Sequence, residues 1–155
     1  MSRTLIQGPF GPIGLSWEGD TVTGLDLDPD PEEYGGPAAL PPAALADQLG
    51  AYFADGRRGF DLPLGLKGTP FQRRVWGLMQ AIPPGHTRTY GEIARELGSA
   101  PRAVGQACRA NPCPILVPCH RVVGAQGLGG FAGDSSGHRI EVKRWLLDHE
   151  GAGPR

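Results

Sequence analysis

The sequence predicts an α+β protein: a small strand-rich N-terminal α/β unit over residues 1–65, then a mainly helical unit over 66–155 with a helix-turn-helix of winged-helix-like kind. Three observations predict it. Apolar residues alternate with small or polar ones as far as Leu27, the period of half-buried strands. From Thr69 onward apolar residues recur at helical spacing behind strong N-terminal caps. Two short helical stretches then meet at Gly98, a residue suited to the left-handed end of a helix.

Taken in order, the first segment reads as strands: Thr4-Leu5-Ile6 is followed by Gly11-Pro12, and then Ile13, Leu15 and Trp17 alternate with small or polar partners. Glu18-Gly19-Asp20 turns the chain, and Val22, Leu25 and Leu27 continue a second half-buried strand. Residues 28–42 are rich in Asp, Pro, Gly and Glu and predict a surface loop. Ala43 to Phe53 predicts a short helix with Leu45, Leu49, Tyr52 and Phe53 on one side, ended by Asp55-Gly56. Phe60 to Leu64 predicts an edge strand, because Pro63 excludes a central one. Nothing before residue 66 looks chemical.

Gly65 to Gly68 reads as the linker. Thr69 as N-cap, Pro70 at the first position and Gln72 three residues after the cap then open a helix whose inward residues are Phe71, Val75, Met79 and Ile82. Thr89-Tyr90-Gly91-Glu92 is a second capping box, with Ile93 and Leu97 inward and Gly98 as terminator. Ser99 or Ala100 caps the following helix, which buries Val104, Ala107 and Cys108. Its outer face carries Arg102, Gln106 and Arg109 at i, i+4, i+7, beside Ala103 and Gly105. No acid lies between Ser99 and Ala110. A basic face with so little side-chain bulk can approach a nucleic-acid groove closely. After a Gly-rich stretch, Arg139 to Glu150 predicts an amphipathic helix with Val142, Trp145 and Leu146 inward.

Charge and cysteine usage narrow the class. The net charge of −1 hides −7 over residues 1–65 and +6 over 66–155, so a polyanionic partner for the second half is compatible with it. No apolar run is long enough for a transmembrane helix. The short apolar patch after Met1-Ser2-Arg3 is broken by Gly8 and Pro9, which argues against a secretory signal. Cys108, Cys113 and Cys119 are odd in number and clustered, which suits a reduced, cytoplasmic protein better than a disulfide framework. Their spacing offers no zinc pattern.

The chemically suggestive stretch is Pro112 to Val123, where Cys119 is followed at once by His120 within an apolar run stiffened by three prolines. Proline should hold Cys119 on a rigid bend rather than inside a helix. A thiol is a nucleophile only as thiolate, and an adjacent histidine-linked base can generate one.

These motifs together resemble the O6-alkylguanine-DNA alkyltransferases. The residues that carry the resemblance are Gly68-Thr-Pro-Phe-Gln with Val75-Trp76, the block from Thr87 to Ala94, and Arg102-Ala-Val-Gly105. They continue with Asn111-Pro112, Ile115 to Val123, and Lys143 to Glu150. The resemblance implies a monomer that binds duplex DNA in the minor groove through the helix-turn-helix. The damaged base is rotated out of the stack into a pocket. Cys119 then takes the alkyl group from guanine O6, once and irreversibly, with no cofactor and no metal. His120 would draw the thiol proton through a water, with Glu150 orienting it. Asn111 would tie the helix-turn-helix to the cysteine loop, and Tyr90 and Lys143 would assist at the base. Arg102, Ala103, Gly105, Gln106, Arg109 and Tyr90 would face the DNA, with Arg102 filling the hole the base leaves. Val122, Phe131 and Ala132 would line the substrate pocket, and Gly133 to His138 makes a longer link to the last helix than in relatives. Arg121 would brace the fold.

Three other readings remain open on the residues: a lesion sensor that binds without transfer, a helix-turn-helix transcription factor, and a Cys-His hydrolase. Transfer to Cys119, preference for one undamaged sequence, and repeated turnover without DNA would respectively separate them.

Overall fold

Three strands with short connections open the chain, because the alternating segment can bury only one face. In the computed structural model, which describes residues 1–36, 39–127 and 137–152, they are β1 (Ser2–Gly8), β2 (Gly11–Glu18) and β3 (Thr21–Asp26), antiparallel in that order. Ile6 pairs with Ile13, Leu15 with Leu25, and the buried set Ile13, Leu15, Trp17, Val22, Leu25 and Leu27 is the alternating set of the sequence. Gly19 takes φ 58° in the β2–β3 turn, a conformation that a side chain disfavours.

For this half one expectation gains detail and one needs correction. The acidic loop contains one 3-10 turn, Pro31–Tyr34, capped by Asp30. It packs so closely on the sheet that a Cβ at Gly14 would lie 2.3 Å from the Tyr34 ring. The edge strand at residues 60–64 reduces to a single bridge, Leu64 beside Val22. Its two hydrogen bonds run from Val22 N to Pro63 O and from Gly65 N to Val22 O. Helix α1 (Ala43–Ala54) buries Leu45, Leu49 and Tyr52.

Both predicted capping boxes form. Thr69 and Gln72 exchange hydrogen bonds at the start of α2 (Pro70–Gln80), and Thr89 and Glu92 do so at the start of α3 (Tyr90–Leu97). Gly98, at φ 64°, ends α3, and α4 (Pro101–Arg109) follows after two residues, with Ala100 as N-cap and no side-chain cap. Pro101 at the first position needs no N–H partner, which is why this cap can be bare. The Trp76 indole of α2 donates to Ala107 O of α4 at 2.9 Å.

The cysteine loop is joined to this helical unit by a short parallel ladder. Strand β4 (Arg88–Thr89) pairs with β5 (Val122–Val123), Thr89 opposite Val123. Thr89 therefore serves as N-cap of α3 and as a ladder residue fixing Tyr90 relative to the loop. Thr89→Ala is expected to cost about 1 kcal/mol, seen as a fall of roughly 2–4 °C in melting temperature. Helix α5 (His138–His149) closes the chain. Buried residues from the sheet, α1 and the later helices form one continuous apolar cluster.

Candidate active site

Cys119 begins a single 3-10 turn, Cys119–Arg121, rather than a plain bend. Pro118 ahead of it cannot donate, and the Cys119 amide bonds to Val117 O at 2.8 Å. Four residues earlier Ile115 holds φ 77°, an outlier for a β-branched residue, with its side chain buried. The loop is thus locked by packing, by its prolines and by Asn111. The Asn111 amide donates to Val117 O at 2.9 Å and to Cys119 Sγ at 3.3 Å. Its carbonyl oxygen accepts from Cys113 N at 2.9 Å.

The two residues after the thiol, His120 and Arg121, enter a buried ionic cluster. His120 Nε2 meets Glu150 Oε2 at 2.7 Å. Arg121 donates to both carboxylate oxygens, at 2.8 and 2.9 Å, and to Ile82 O at 2.7 Å. Tyr52 donates its hydroxyl to Glu150 Oε2 at 2.6 Å. Burial pushes the Glu150 carboxyl up, but the hydrogen bonds and charges of His120 and Arg121 outweigh it and hold the group at about 2. Burial lowers His120 below its ordinary range, against the pull of Glu150. The imidazole is therefore neutral at neutral pH. An ionised carboxylate only accepts, so Nε2 carries the proton and Nδ1 keeps its lone pair. Nδ1 is buried and has no hydrogen-bond partner among the described residues.

Burial pushes the Cys119 thiol up to about 11, while the Asn111 amide and the Lys143 charge pull it down. Thiolate is therefore scarce at neutral pH, and a base is required. Lys143, itself buried, donates to Val122 O at 2.8 Å and lies 5.8 Å from the Tyr90 ring centre. Burial lowers its ammonium to about 8, against the attraction of Cys119 and Cys108. The Tyr90 phenol is raised by burial and by its nearness to those two cysteines. Cys108 and Cys113 are buried, and burial raises both, Cys113 to about 12.

The Cys119 side chain is almost enclosed, at 2% exposure. It lines a cavity of about 380 Å³, at the small end of the range for ligand sites. Asn111, Pro114 and Arg139 line that cavity together with Arg3, Asp26 and Tyr34 of the N-terminal half.

The structure thus brings Cys119, His120, Glu150, Asn111, Lys143 and Tyr90 into one neighbourhood. Arg102, Gln106 and Arg109 are exposed on α4, with Ala103 and Gly105 half-buried between them. Val122 is buried in β5. Phe131 and Ala132 lie outside the described residues, as does the segment expected to rim the pocket. Sequence reasoning missed Tyr52, which it placed on an apolar helix face in a unit without chemistry. A tyrosine where phenylalanine would serve for burial was the available signal.

Residues 70–152 match the family model described as 6-O-methylguanine DNA methyltransferase, DNA binding domain. The methylated-DNA–protein-cysteine methyltransferase of Mycobacterium bovis is 42% identical, over 94% of this chain and 89% of its own. The constitutive enzyme of that name from Bacillus subtilis is 40% identical, over 95% and 93%. The crystal structure of Mycobacterium tuberculosis OGT in complex with DNA superposes with a TM-score of 0.83 at 42% identity, covering 97% of this chain and 93% of that one. An O6-methylguanine DNA methyltransferase from Methanococcus jannaschii gives 0.67 at 28%, covering 97% and 94%.

Proposed function

The chain belongs to the methylated-DNA–protein-cysteine methyltransferase family and repairs DNA by alkyl transfer, and on that premise we propose that Cys119 is the acceptor, O6-alkylguanine in duplex DNA the substrate, and His120 with Glu150 the base that arms the thiol. The buried pair His120–Glu150, 2.7 Å apart and adjoining the Asn111-held sulfur, supports this reading most directly.

The reaction is a displacement at carbon. The thiol proton passes through a bridging water to His120 Nδ1, the position whose lone pair the Glu150 contact leaves available. Sγ attacks the alkyl carbon, the S–C bond forms, and the C–O6 bond breaks with its electron pair staying on guanine. Guanine recovers one proton, so the sum is thiol plus alkylguanine to thioether plus guanine. Lys143 and Tyr90 are the donors placed beside the sulfur for that proton. Asn111 donates to Sγ and so favours the thiolate. A thioether has no ready leaving group, so each monomer reacts once.

DNA binds to the α3–α4 unit, with the exposed face of α4 in the minor groove and Ala103 and Gly105 permitting close approach. The target base leaves the stack, because its alkyl carbon is out of reach within the duplex. Arg102 occupies the space left behind. Arg102→Ala is therefore expected to slow transfer from duplex DNA by about tenfold, or about 1.4 kcal/mol, a fraction of the few kcal/mol that unstacking a base costs. Transfer from free O6-benzylguanine base should be unchanged. Equal slowing on both substrates would place Arg102 elsewhere in the chemistry.

The overall reading is tested by mixing the protein with a molar excess of O6-methylguanine duplex and counting guanines restored. One per protein, followed by no further reaction, is expected. Continued turnover would indicate a hydrolytic enzyme, and tight binding without restoration a lesion sensor.

A further inference from the structure

We propose that Tyr52, on α1 of the N-terminal half, is a positioning residue for alkyl transfer, acting through Glu150. The proposal rests on the His120–Glu150 reading above and extends it to a part of the chain that reads as scaffold.

The geometry singles out the Tyr52 hydroxyl. It reaches Glu150 Oε2 at 2.6 Å, the same oxygen that takes His120 Nε2 at 2.7 Å and Arg121 Nη2 at 2.9 Å. Arg121 follows His120 within one 3-10 turn, so it moves with the imidazole and cannot set where the carboxylate stands relative to it. Glu150 itself is the C-cap of α5, a helix end that frays unless tied down. Tyr52 is the donor from a different element, and it gives the carboxylate an external reference point.

Tyr52 is in turn held firmly. Its ring is fully buried and packs on Phe60 at 5.2 Å and on His149 at 5.3 Å between ring centres. His149 Nε2 meets Tyr52 O at 2.6 Å, so α1 and the end of α5 are clasped through main chain and side chain together. Gly56 belongs to the same contact, since a Cβ there would lie 2.3 Å from His149 O. A hydroxyl placed in such an aromatic cluster is costly without a partner, and phenylalanine would fill the same space. The hydroxyl is accounted for by the carboxylate it serves. Burial and the Glu150 charge both raise the phenol, so it stays a donor throughout the working pH range.

The charged and titratable groups that bear on His120 are Glu150, Arg121 and Lys143, with Tyr52 acting through the first. Removing the Tyr52 hydroxyl leaves the carboxylate less neutralised, so the imidazolium is better stabilised and His120 titrates higher. The acid limb of the transfer rate then moves to higher pH.

The test is single-turnover transfer from O6-methylguanine duplex against pH, for wild type, Tyr52→Phe and Glu150→Gln. Tyr52→Phe is expected to slow transfer about tenfold, the scale of one hydrogen bond to a charged group, and to raise the acid limb. A wild-type rate with an unmoved limb, while Glu150→Gln is slow, overturns the role of Tyr52 and leaves the base assignment standing. A wild-type rate in Glu150→Gln overturns both. Should Tyr52→Phe fail to fold, a fluorinated tyrosine introduced at position 52 alone keeps the hydroxyl and strengthens its donation. It should lower the acid limb, and an unmoved limb there also overturns the proposal.

Discussion

Glu150→Gln is expected to cost about 3–5 kcal/mol of stability and to slow alkyl transfer on the order of a hundredfold. The carboxylate accepts from three residues at once: His120, Tyr52 and, through two contacts, Arg121. A glutamine offers one acceptor oxygen and turns an NH2 group toward donors. It leaves the buried Arg121 charge without its counter-ion and the imidazole without the group that fixes its tautomer. Chemical denaturation measures the first effect, and single-turnover transfer at a temperature where the variant is folded measures the second.

The same contacts set an acid limit. The folded Glu150 carboxyl is depressed from 4.5 to about 2, so its contribution is complete above the unfolded value and is lost as pH falls from about 4.5 toward 2. The full contribution is about 3 kcal/mol. Lys143 works in the opposite sense. Its folded value is depressed to about 8, so below that pH the buried ammonium carries its whole penalty, and stability rises between about 8 and the unfolded value near 10.4. Wild-type denaturation from pH 5 down to pH 2 should therefore show a steep loss that Glu150→Gln lacks.

How much of this was legible depends on the range of the interaction. The capping boxes at Thr69 and Thr89 are relations over three residues, and both form as read. The strand faces are a period of two, which the buried set keeps from Ile13 to Trp17, while Val22 and Leu25 are three apart in β3, whose register with β2 shifts at Ser16/Trp17. Residues 60–64 failed as a strand because Pro63 withholds its N–H and only one bridge to β3 survives. The positive φ of Ile115 was not legible, since local sterics oppose it and only the packed loop around Asn111 imposes it. Tyr52 and Glu150 are 98 residues apart, and no periodicity connects them. Cys119 and His120 stood out by adjacency. Glu150 and Asn111 stood out only through the family resemblance, because a helix-end acid and a loop amide are ordinary surface features when read alone.

The second large effect concerns the sulfur itself. Cys108, Cys113 and Cys119 are all buried thiols, so burial alone does not choose among them. What distinguishes Cys119 is the Asn111 amide on its Sγ, which with the Lys143 charge pulls its thiol down against burial, and the neighbouring His120–Glu150 pair. Cys119→Ala removes a small side chain from a loop held by Asn111 and three prolines, so it should fold and bind DNA while transferring nothing. The decisive measurement is tandem mass spectrometry of the protein after reaction with O6-methylguanine duplex. One added CH2 on the peptide containing Cys119, fragment ions placing it on that sulfur, and no addition in Cys119→Ala is the result expected. An added CH2 on Cys108 or Cys113, or one that persists in Cys119→Ala, would contradict the assignment.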